Sequence, residues 1–147
     1  MKVSRIIRHL LFAGLVVWVV TMPAIALPLI FYICDATRLP SLVWSHAGTL
    51  VMSGLCFLIN LGLFRFFDRL KDGHLFDAVT VSHLSTAGKW WIVLSLFSLL
   101  YGQVGVHWLG FPAPACREDI FPGLALLFVA WLLKEAQGLQ EEQELTV

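Results

Sequence analysis

The chain has 147 residues, three cysteines and a formal charge of zero, with ten basic residues against ten acidic ones. Hydrophobic residues make up 59% and charged ones 14%, and mean hydropathy is +0.81. An ordinary soluble domain, about a quarter charged, is excluded. So is direct nucleic-acid binding, which needs a clustered excess of Lys and Arg.

Three stretches carry no Asp, Glu, Lys or Arg: His9–Cys34, Leu39–Phe64 and Trp90–Cys116, of 26, 26 and 27 residues. A helix rises about 1.5 Å per residue, so roughly 20 residues cross a ~30 Å hydrocarbon core. A fourth gap, Ile120–Leu133, has 14 residues, nine of them Ile, Leu, Phe or Val. At about −0.3 to −0.6 kcal/mol each these favour insertion, offset in part by Pro122 and Gly123. The expected fold is therefore all-α: a single domain over 1–147 of four transmembrane helices in an antiparallel bundle. The spans are expected at about 10–31, 43–64, 90–109 and 120–133, with a connector at 65–89 and a tail at 134–147. Counted this way, Lys2, Arg5, Arg8, Arg65, Arg69, Lys71, Lys89 and Lys134 share one face and only Arg38 and Arg117 lie on the other. The positive-inside rule makes the richer face cytoplasmic, so both termini are expected there.

In the first helix, the basic start, the apolar run Leu10–Val20 and then Ala24-Ile25-Ala26 imitate a cleavable secretory signal. Apolar character continues through Leu27, Leu29, Ile30 and Phe31, which favours retention as a span. Pro23 and Pro28 are expected to kink its outer half.

On the second helix His46, Thr49, Ser53, Cys56 and Asn60 recur at helical spacing. On the third the same rhythm gives Trp91, Ser95, Ser98, Gly102 and Gly105, extending back through Val81, Leu84 and Gly88. Small and hydroxyl residues mark close packing in membranes, so these two stripes are expected to face each other. A polar permeation path is the rival reading, disfavoured because neither stripe holds a charge. Trp44, Trp90, Trp91, Trp108 and Trp131 fall near span ends, as interfacial anchors do, whereas Trp18 is mid-span.

In the connector, Gly73 is the expected C-cap of helix two and Asp77 the N-cap of helix three, which then starts about ten residues before the membrane. In the fourth segment Asp119 is an expected N-cap and Pro122 fits the first turn. The tail ends in Glu141, Glu142 and Glu144, which oppose the helix dipole. A contact with the connector's Arg65, Arg69 and Lys71 would answer them, and a solvated acidic end is the plainer alternative.

The Asp72-Gly73-x-x-Phe76 turn, Val81, Leu84, Gly88 and the tail Gly138-Leu139-x-Glu141-Glu142-x-Glu144-Leu145-Thr146-Val147 give the chain a likeness to a known group. It resembles the bacterial membrane family catalogued as domain of unknown function 2975. That resemblance implies four helices in the cytoplasmic membrane, both ends cytoplasmic, no established catalytic residues, and a small helix-turn-helix regulator as partner. Ser82, His83 and Ser85 depart from a stretch that is more often basic in the family.

No cofactor is expected. Cys56 reads as a buried filler, and Cys34 and Cys116 as a disulfide pair if their helices are neighbours. Two functional classes follow. The first is a non-enzymatic membrane protein contacting a partner through Arg65, Arg69, Lys71, Asp77, Glu141 and Glu142. The second is a small membrane redox protein, using outer histidines such as His46 and His107 for haem or Cys34 and Cys116 for thiol chemistry. Self-association is compatible with either.

Overall fold

A computed structural model describes residues 2–34, 40–71, 77–110 and 119–145. It contains four helices: α1 (Lys2–Cys34), α2 (Pro40–Lys71), α3 (Ala78–Trp108) and α4 (Phe121–Leu145). Each begins or ends where local chemistry dictates. Pro40 occupies the first helical position of α2, where its missing N–H costs nothing. Asp77 is the N-cap of α3, with extended backbone and a carboxylate that accepts from the Val79 amide at 3.3 Å. α3 stops before Gly110, whose φ of +66° suits a residue without a Cβ. α1 runs unbroken through Pro23 and Pro28.

Three segments are long and apolar enough to cross a membrane: Ile6–Ala24, Val43–Leu70 and Ala78–Trp108. Among the described residues α4 does not join them, because its apolar part is followed by Lys134, Glu135, Glu141 and Glu142.

The helices pack in series. α1 lies on α2, α2 on α3 and α3 on α4, and among the described residues no other pair of helix backbones comes into contact. The result is an open bundle, not a ring closed by α1 on α4. Neighbours run antiparallel. Phe12 meets Phe64 (6.1 Å between ring centroids), while Trp18 stacks on Phe57 (4.4 Å) and donates its indole N–H to the Ser53 carbonyl (2.8 Å). At one end of α2 Trp44 stacks on Tyr101 of α3 (4.1 Å, 7°), and the Tyr101 hydroxyl donates to the Trp44 carbonyl.

The contact between α2 and α3 departs from the expected stripe on α2. Thr49 is exposed and its hydroxyl donates to Ser45 of its own helix (2.9 Å), and the Asn60 amide does the same to Cys56 (2.9 Å). Ser53 turns its carbonyl toward α1. Short polar side chains that bond within their own helix need no partner across the seam. Glycines carry this contact instead. Gly48 lies under the Tyr101 ring, and a Cβ on Gly62 would sit 3.1 Å from the Ala87 Cβ. The α3 stripe is divided between two neighbours: Gly105 lies against Trp44 of α2, Ser95 bonds across to Asp119, and Ser98 is buried. Gly102 is half-buried.

α4 is displaced from its expected place. Its approach begins beside Trp91 and Ser95, whose indole N–H and hydroxyl both donate to the Asp119 carbonyl at 3.0 Å. Asp119 stands one residue before the N-cap position, because α4 starts at Phe121. Ile120 fills that position, accepting from the Leu124 amide at 3.2 Å. From Ser95 to Trp108 α3 continues for 13 residues, about 20 Å, with no helix of α4 beside it. Thus 120–133 lies against the first half of α3 and not alongside 90–109. The cause is a close crossing of two glycines: a Cβ on Gly88 would come 3.1 Å from the Gly123 carbonyl oxygen, and one on Gly123 would come 3.1 Å from that of Gly88.

The buried core follows this displacement. Phe66, Val81, Leu84 and Ala130 form its centre, with Leu63, Phe67, Leu70, Leu126 and Leu133 packed around them. It lies at the end of the molecule where the charges collect. Elsewhere large apolar side chains face outward, from Ile6 to Ile30 on α1 and from Val93 to Leu109 on α3. An aqueous surface would not tolerate patches of that extent.

Candidate functional site

The charged end gathers the start of α1, the end of α2 and the start of α3, and two ion pairs join them. Arg8 Nη1 meets Asp68 Oδ1 at 3.1 Å, fixing α1 to α2. Arg69 Nη1 meets Asp77 Oδ2 at 2.6 Å, fixing the end of α2 to the N-cap of α3. Asp77 thus holds two donors, an amide through Oδ1 and a guanidinium through Oδ2. With side chains 23% to 46% exposed, each pair contributes about 0–1 kcal/mol, and its main effect is to set orientation.

Of the residues expected to meet a partner, the structure brings Arg69 and Asp77 together and leaves Arg65 exposed. Lys71 ends α2, and the Gly73 cap lies outside the described residues. Glu141 and Glu142 are exposed on α4, with Glu141 accepting from Gln137 Nε2 at 2.9 Å. Arg69 is paired with Asp77, and the α4 backbone packs on α3 and not on α2.

Between α3 and α4 the same end opens into a cleft of about 580 Å³. Its floor includes Val81, Leu127 and Ala130, Trp131 forms a wall, and Ser82, Ser85, Lys134, Gln137 and Glu141 bring polar groups to it. Ala78, the first residue of α3, lines it together with Glu141, so the end of α4 projects past α3. Sequence reasoning missed this cleft. Trp131 and Lys134 signalled an interface, but nothing in the pattern placed Ser82 and Ser85 opposite them.

The tryptophans have mixed roles. Trp108 is 85% exposed and Trp131 is 53% exposed, as anchors would be, whereas Trp44 and Trp91 are struts between helices. Cys56 is half-buried in α2. Cys116 lies outside the described residues, as does the side chain of Cys34, and so does their pairing. Among the described residues no three His, Cys, Asp or Glu side chains converge as a metal-binding group.

No protein-family model matches this chain, and neither a curated protein nor a solved structure matches it. The functional reading therefore rests on the residues themselves.

Proposed function

We propose that the chain is a multi-pass protein of the cytoplasmic membrane that acts without catalysis, holding a cytoplasmic partner at its charged end. In this reading α1, α2 and α3 cross the bilayer and the chain returns to the cytoplasmic side with α4, so both termini are cytoplasmic. The 14 residues 120–133 reach about 21 Å, less than the ~30 Å core, so α4 starts at depth and runs back to the cytoplasmic face. Backbone that ends at depth must have its polar groups satisfied by protein, and Trp91 and Ser95 supply donors to one such group, the Asp119 carbonyl.

One observation carries the partner reading. α4 continues beyond Lys134 as an exposed helix bearing Glu141 and Glu142, and it projects past the ion-paired start of α3. An acidic helix on a rigid base presents a surface that a basic protein can grip. The resemblance noted above suggests a small helix-turn-helix regulator as that protein. A two-hybrid assay in cells, against small helix-turn-helix regulators of the same genome, tests the idea. Association should be lost when the chain is ended after Lys134 and when Glu141 and Glu142 are changed to Lys. Association that survives both changes would exclude the tail as the site. Orientation is tested separately by maleimide labelling of single cysteines at position 142, expected to react only from the cytoplasm, and at position 117, expected to react only from outside.

A further inference from the structure

We propose that the cleft between α3 and α4 binds the headgroup of a phospholipid carrying a primary amine, a phosphatidylethanolamine, from the cytoplasmic leaflet. The inference rests on the membrane placement above, since it needs the cleft to open at the inner lipid surface. The chemistry of the cleft changes along its length as an amphiphile does. Val81, Leu127, Ala130 and Trp131 give it an apolar part, continuous with the outward Phe128 and Leu132 of α4. An acyl chain leaving the cleft would meet only apolar surface there.

The polar part carries two opposite charges in order. Lys134, the first basic residue after the apolar run, supplies a cation for phosphate, and the Ser82 and Ser85 hydroxyls line the same space from α3. One turn beyond, about 4.5 Å along the helix, Gln137 has its amide nitrogen committed to Glu141. Its carbonyl oxygen and the Glu141 carboxylate are therefore acceptors for an ammonium group. A phosphate followed by a donor-bearing cation one helical turn away fits this order. A quaternary choline offers no N–H to the acceptors, and a glycerol headgroup brings no cation to Glu141. Lys134 and Glu141 are both exposed, so exchanging them leaves the core of Phe66, Leu84 and Ala130 intact.

The full chain, purified in detergent micelles, is titrated with phosphatidylethanolamine, phosphatidylcholine or phosphatidylglycerol of identical acyl chains and read by native mass spectrometry. Phosphatidylethanolamine adducts should persist about tenfold more than the other two, as one charge-assisted hydrogen bond allows. Lys134→Ala should lower retention of all three lipids, Glu141→Gln should remove the preference for the amine, and Lys89→Ala, outside the cleft, should change neither. Equal retention of the three lipids, a retention unchanged by Lys134→Ala, or a preference unaltered by Glu141→Gln would overturn the site. Carbonate extraction of the chain from native membranes tests the placement itself, so failure of that placement is distinguishable from failure of the site.

Discussion

Replacing Gly88 by Ala probes the contact that positions α4. The added Cβ would lie 3.0 Å from Leu127 Cγ and 3.1 Å from the Gly123 carbonyl oxygen, both tighter than ordinary van der Waals contact. Leu127 can shift its rotamer, but a backbone oxygen moves only if α4 moves. Overpacking of this kind costs about 1–3 kcal/mol. Alanine also recovers about 1 kcal/mol of helix propensity over glycine, so the net loss should be about 0–2 kcal/mol. Gly54→Ala in α2 serves as the control, because a Cβ there meets nothing within 4 Å and only the propensity gain of about 1 kcal/mol remains. The two variants should therefore differ by about 1–3 kcal/mol. Unfolding by SDS in mixed micelles, followed by helicity and tryptophan fluorescence, measures both on one scale. If Gly88→Ala gains as much stability as Gly54→Ala, the close crossing does not hold α4 in place. Gly123→Ala should act in the same direction as Gly88→Ala, since its Cβ would lie 2.9 Å from Ile92 Cγ1 and 3.1 Å from the Gly88 oxygen.

Three other substitutions test single interactions in the same assay. Thr80 is fully buried with a hydroxyl that finds no hydrogen-bond partner among the described residues, so Thr80→Val should stabilise by about 1 kcal/mol. A loss of stability would mean that the hydroxyl is bonded. Asp77→Ala removes both the cap and the Arg69 pair and should cost about 1–2 kcal/mol. Asp77→Asn keeps a capping oxygen and should cost less than half as much, so equal losses would assign the whole effect to the ion pair. Trp18→Phe keeps an aromatic ring against Phe57 but removes the donor to Ser53, and should cost about 0.5–1.5 kcal/mol. No change would show that the indole bond holds α1 to α2 no better than lipid does.

Much of the chain was legible before its structure. Long charge-free runs define helices because backbone polar groups in hydrocarbon must bond within the segment. Asp77, an acceptor placed just before a helical run, was legible as a cap for the same local reason. The α3 stripe was legible as a packing face, since Ser95, Ser98 and Gly105 are buried. Its partners were not. Thr49 and Asn60 satisfy themselves within α2, so their spacing carried no information about a neighbour. The Arg8–Asp68 pair needed the antiparallel register of α1 on α2, to which residues 60 positions apart in sequence give no local clue.

The sequence alone determined that this is an all-helical chain with segments long and apolar enough to cross a membrane, because that depends on length and composition within each segment. Tertiary structure decided the register of α4 on α3. A run of apolar residues is equally at home along either half of α3, and the close approach of Gly88 and Gly123, the bonds to the Asp119 carbonyl and the core around Ala130 together hold it on the half near the charges. That choice opens the cleft beside Lys134 and leaves the C-terminal part of α3 without α4 beside it. Helix formation is local, whereas register between helices is a property of two surfaces together.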